Sequence, residues 1–161
     1  MNMTTQLKFT AEELAQVEEL KKRYPDTKAL TLPVLWMAQE KWGHISRETM
    51  EYLAEVLEQP LSHILGVVSF YTMFKTQKVG KHHIEVCTNI SCMLRGSDAI
   101  VEQLRKRLGI GFGEITEDGQ FSLEEVECMG SCGTAPMVSI HEEYYENLTP
   151  EQVDSLLAKL K

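Results

Sequence analysis

The sequence has no fifth cysteine, no Cys-x-x-Cys pair and no apolar run near the roughly 20 residues that span a bilayer. Its longest apolar stretch, ILGVVSFYTMF over 64–74, is too short to cross a membrane. Without Cys-x-x-Cys, a thioredoxin-type redox thiol pair is disfavoured. Basic residues are few: 16 Lys and Arg against 24 Asp and Glu leave a net charge of −8. That balance argues against nucleic acid and against an anionic membrane surface, because both need a clustered basic face. The opening MNMTTQLKFT has no basic region followed by an apolar run, so no secretory signal is expected. A cytoplasmic protein is the expectation, and in that compartment thiols stay reduced and free to bind metal. Nicotinamide and flavin fingerprints, a Ser–His–Asp set, paired carboxylates, internal repeats and low-complexity segments are all missing from the pattern. Gly109, Gly111 and Gly113 superficially resemble a phosphate loop, but they follow a helical segment, whereas a nucleotide loop precedes one. The remaining composition, 43% hydrophobic and 25% charged over 161 residues, describes a globular chain with one good core or two small ones.

What is present is four cysteines in two pairs: Cys87 and Cys92 in CTNISCMLRGS, Cys128 and Cys132 in ECMGSCGTAPMV. Asn89, Ser91 and Gly96 accompany the first pair; Gly130, Ser131 and Gly133 accompany the second. Small and turn-forming residues let a backbone approach something other than side chain.

The chain before them reads as helical. Residues 1–9 suit a loose arm, and Thr10 with Glu13 forms a capping box opening a helix that Pro25 and Asp26 should stop. A second helix is expected from Thr31 to Lys41, with Pro33 in its first turn and Gly43 at its end. Ser46 caps a third, Arg47 to Glu58, with Met50, Leu53, Ala54 and Leu57 on one face. Residues 61–74 read as a short helix followed by an irregular piece. Trp36, Trp42, Phe70, Tyr71 and Phe74 are expected in the helical core, with a partner surface as the other reading for some of them. After a linker at 75–80 the pattern changes. His82–Cys87 alternates as a strand, Gly96–Leu108 has helical period, and Asp118–Gly119 marks a hairpin. Met137–Ile140 reads as a buried strand, 141–147 lacks a turn dipeptide, and Thr149, Pro150 and Gln152 open a last helix. Strands interleaved with helices suit a small sheet covered by helices. Glu142, Glu143 and Glu146 read as a solvated face, and the five histidines as solvated or hydrogen-bonded.

Four thiolates in two local pairs match a [2Fe–2S] cluster, in which each iron takes two protein ligands beside two bridging sulfides. Structural zinc also accepts four thiolates, though its knuckles are usually the tighter Cys-x2-Cys, so spacing leaves zinc open.

With CTNISCMLRGS, LGIGFGEITEDGQFSLEEVECMGSCGTAPMV and GVVSFYTMF taken together, the chain resembles the small iron–sulfur subunit family of NADH:quinone oxidoreductase, respiratory complex I. Related subunits occur in NAD-linked hydrogenases and formate dehydrogenases, which is the alternative reading. The resemblance implies an α/β chain: a thioredoxin-like [2Fe–2S] ferredoxin domain at 77–161, preceded by an all-helical N-terminal region at 1–76. It implies one [2Fe–2S] cluster held by Cys87, Cys92, Cys128 and Cys132. It further implies FMN and NADH on a partner, the flavin/NADH-binding subunit, other peripheral-arm subunits as neighbours, and a cytoplasmic position peripheral to the membrane without insertion. No NADH oxidation is expected from this chain alone.

Overall fold

The computed structural model describes residues 7–160. They form two compact units, one ending at Lys78 and the other beginning at Val79.

The first unit is helical. Helix α1, Ala11–Lys21, opens on the Thr10–Glu13 capping box. It stops at Lys21, earlier than Pro25, because Asp26 serves the next turn instead: its Oδ1 accepts the Lys28 N–H at 2.6 Å and caps a 3-10 turn, Thr27–Leu30. Helix α2, Thr31–Trp42, ends on Gly43 at φ 77°, a left-handed conformation that costs glycine little. Helix α3, Arg47–Leu57, starts on a Ser46 cap, and α4 runs Leu61–Phe70. Leu30, Leu35, Leu53, Leu57 and Ile64 are fully buried between these helices. Each such side chain contributes about 1.5–3 kcal/mol on removal from water.

Two expectations change here. Residues 1–6 of the expected loose arm lie outside the described residues, while Phe9 is buried and stacks on Trp42 with ring centroids 5.2 Å apart. Phe74 is buried and Trp36 and Trp42 pack against the core, but Phe70 is 77% exposed and Tyr71 37% exposed, so these two are not core. Phe70 is the last residue of α4 and Tyr71 its C-cap, both beyond Val68, the last buried residue of the helix.

The second unit is a five-stranded sheet in the order β2-β3-β1-β4-β5, with β1 His82–Cys87, β2 Glu114–Ile115, β3 Phe121–Val126, β4 Val138–Ile140 and β5 Glu143–Tyr145. Strand β1 runs parallel to β3 and antiparallel to β4. A parallel neighbour requires a crossover, here containing the short helix α5, Ile90–Leu94, and helix α6, Ser97–Leu108. Helix α7, Pro150–Lys159, closes the chain on the Thr149–Gln152 capping box. The strands' period of two puts Ile84, Val86, Phe121, Leu123, Val138 and Ile140 into one core with Ile100 and Leu104 of α6 and Val153, Leu156 and Leu157 of α7.

Strand β5 was not expected from the sequence. Its hairpin with β4 turns on His141 at φ 54° and Glu142 at φ 64°. Two consecutive left-handed residues are the geometry of a tight primed turn, made here without the usual Asn-Gly. Helix α5 was also unexpected. It is a single short helix inside what reads as a loop, and it carries Cys92 into the interior.

Candidate metal centre

Strand direction assembles the site. Because β1 and β3 are parallel, their C-terminal ends lie at the same edge of the sheet, with Cys87 paired to Val126. Cys128 follows two residues later. Strand β4 runs the other way, so its N-terminal end, and the Cys132 turn that leads into it, arrive at that same edge. The carboxyl ends of parallel strands are where open α/β sheets place their ligands.

Cys87 and Cys92 are buried, while Cys128 and Cys132 are exposed. Cys87 donates its thiol to the Glu127 carbonyl at 3.0 Å, which ties the end of β1 to the second cysteine loop. The sulfurs of Cys128 and Cys132 are 3.8 Å apart, and the Gly130 N–H donates to Cys128 Sγ at 3.4 Å. A disulfide would need about 2.05 Å. Two thiolates on one tetrahedral metal, with bonds of about 2.3 Å, stand about 3.8 Å apart.

Burial and neighbouring sulfurs disfavour a bare thiolate at Cys92. Burial pushes the Cys92 thiol up to about 11, the hydrogen bond and charge of Cys87 add to this, and the Cys132 charge does so too; only the Met137 N–H favours the thiolate. Crowded thiolates repel one another unless a metal compensates their charge, and a bound metal deprotonates thiols outright. Ala135 and Met137 pack around the two buried cysteines, with Met129 against them, giving an apolar wall on the inner side. The donor set, its spacing and its backbone N–H groups therefore fit a thiolate-ligated iron–sulfur group.

The structure brings all four predicted cysteines to this edge. The histidines bond elsewhere. His82 and His141 share a hydrogen bond at 2.9 Å, His83 reaches Ser122 and Glu124, His63 meets Thr31, and His44 meets the Trp42 carbonyl. Glu146 is exposed, as expected of a solvated face, and is also tied to the second cysteine loop. The Glu146 carboxylate accepts hydrogen bonds from the Ser131 and Thr134 hydroxyls, which hold its carboxyl below the usual range. Tyr144 joins it, donating its hydroxyl to the Met129 carbonyl at 3.1 Å. No local pattern announces these two, since the β4–β5 hairpin brings them back to the loop.

The family profile described as thioredoxin-like [2Fe-2S] ferredoxin matches residues 17–161. An NADH-quinone oxidoreductase subunit of Rickettsia bellii is 42% identical over 98% of this chain and 96% of its own length. An NADH-quinone oxidoreductase subunit of Rhizobium meliloti is 37% identical over 91% of this chain and 87% of its own. Among solved structures, an NAD+-reducing [NiFe]-hydrogenase in the air-oxidized state matches with a TM-score of 0.70 at 22% identity, over 81% of this chain and 22% of that one. That last likeness is one of fold. Among the described residues, no helix is long and apolar enough to cross a membrane.

Proposed function

This chain belongs to the thioredoxin-like [2Fe–2S] ferredoxin family, with subunits of NADH-quinone oxidoreductases as its relatives, and from that premise we propose that it is an electron-transfer subunit of an NADH-oxidising complex. The observation that carries the reading is the arrival of four thiols at one edge of the sheet, two buried and two facing outward. When bound, a [2Fe–2S] cluster supplies one-electron oxidation and reduction. The family favours that cluster over zinc.

The residues divide the work. Cys87 and Cys92 would hold the inner iron, and Cys128 and Cys132 the outer one. The Met137 and Gly130 N–H groups aim at sulfur and stabilise thiolate charge. Ala135 and Met137 keep water from the inner side, while the exposed pair leaves a short route to a partner. The chain's net charge of −8 opposes adding an electron, which favours a low potential.

Hydride chemistry then falls to a partner that holds FMN and NADH, with the other peripheral-arm subunits as further neighbours. In this reading the protein works at the cytoplasmic face of the membrane without entering it. An EPR spectrum of the dithionite-reduced protein tests the proposal. Wild type should give a one-electron [2Fe–2S] signal, and Cys87→Ala and Cys128→Ala should lose it while the helical circular dichroism persists. An unchanged signal in either variant, or NADH turnover by the pure flavin-free chain, would overturn it.

A further inference from the structure

We propose that Glu146 is a positioning residue for the second cysteine loop, fixing the loop around Cys132 and keeping the reduction potential of its group low. The inference rests on the assignment of Cys128 and Cys132 as ligands, and deepens it.

The loop needs outside support. Cys128 and Cys132 are exposed, and the only regular structure between β3 and β4 is the 3-10 turn Cys132–Thr134. Support comes from β5 and the two residues that follow it. Tyr144 donates to the Met129 carbonyl at 3.1 Å, between the two cysteines. The Asn147 N–H donates to the Thr134 carbonyl at 2.7 Å. Between these ties sits Glu146, whose carboxylate takes hydrogen bonds from both Ser131 and Thr134. Those two hydroxyls bracket Cys132, one just before it and one two residues after, and stand 2.6 Å from each other. A single carboxylate thus holds both sides of one cysteine.

Two consequences follow from the chemistry. A hydroxyl beside a cysteine is a ready donor to its sulfur, and donors to sulfur ease reduction. Glu146 engages the Ser131 proton, so that proton is turned away from Cys132. The carboxylate also adds a fixed negative charge near the loop, though solvent screens it because Glu146 is exposed. Both effects make an added electron less welcome, and both lower the potential.

The test compares holoprotein of wild type, Glu146→Ala and Glu146→Gln. Iron release to a chelator is followed by loss of visible absorption, and the midpoint potential by EPR-monitored redox titration. Glu146→Ala removes every acceptor and should release iron about ten- to a hundred-fold faster, the usual loss when support behind a metal ligand goes. Glu146→Gln keeps one acceptor oxygen without the charge. It should release iron close to the wild-type rate, yet show a potential more positive than wild type. Should Glu146→Ala not fold, Thr134→Val reads the same tie from its other end and should also speed release. Release at the wild-type rate in Glu146→Ala, or a wild-type potential in loaded Glu146→Gln, overturns the inference. A wild-type protein that takes up no iron overturns the ligand assignment beneath it instead.

Discussion

Arg95 donates from Nη1 to the Gly133 carbonyl at 2.9 Å. Arg95 caps the C-terminal end of α5, the helix that carries Cys92, and Gly133 directly follows Cys132. One guanidinium therefore stitches the inner half of the site to the outer half. Arg95→Ala should still assemble a cluster but lose it to a chelator about ten-fold faster. Arg95→Lys keeps the charge without the planar fork and should restore little. Full recovery by lysine would show that charge, and not the stitch, is what matters.

Gly80 has a role that no local pattern displays. A Cβ there would meet the Phe121 carbonyl carbon at 2.4 Å and the Ser122 nitrogen at 2.7 Å, both backbone atoms. Its N–H also donates to Ser122 Oγ at 2.9 Å. Gly80→Ala forces the chain away from β3 and should destabilise the second unit by about 1–3 kcal/mol or more in urea unfolding. Gly66, in α4, has nothing within 4 Å of its Cβ position. Gly66→Ala should therefore stabilise by about 0.5–1 kcal/mol, and a similar loss at both positions would refute the steric account.

Leu53 lies at 0% exposure in the helical core of the first unit. Leu53→Ala should cost about 2–5 kcal/mol, because the neighbouring helices close only part of the cavity. Thermal unfolding by circular dichroism measures this. A loss below about 0.5 kcal/mol, the size typical of surface changes, would contradict the placement.

Stability should fall on mild acidification through His82. Burial lowers its pKa below the ordinary histidine value of 6.5, and the charges of His141 and Lys81 lower it further, against a smaller opposing effect of the Leu160 carbonyl. The unfolded chain then binds its proton first as pH falls. The contribution is complete above about pH 6.5 and shrinks as pH drops towards the lower folded value. Urea midpoints between about pH 7.5 and 5.5 should decline less in His82→Gln than in wild type. Equal slopes would remove His82 as the cause.

Much of the secondary structure is legible in single residues. The Thr10–Glu13 and Thr149–Gln152 boxes, the Ser46 cap and the left-handed stops at Gly43 and Gly109 lie where the chain announces them. Each depends on neighbours within four positions, so local chemistry suffices. The two cysteine pairs were legible as well, because each pair lies within six residues of sequence. Helix α5 and strand β5 were not. The former is too short for a periodic signal, and the latter turns on His141 and Glu142 where Asn-Gly would ordinarily stand.

The sequence by itself determined the local segments and the two cysteine pairs. Tertiary structure alone decided that the two pairs meet: the parallel register of β1 and β3 carries Cys87 and the Cys128 loop to one edge, and antiparallel β4 returns Cys132 to it. It also recruited Arg95 and Glu146 across gaps of 38 and 15 residues. Pairings at that range are set by sheet topology and packing, which no window of a few residues contains.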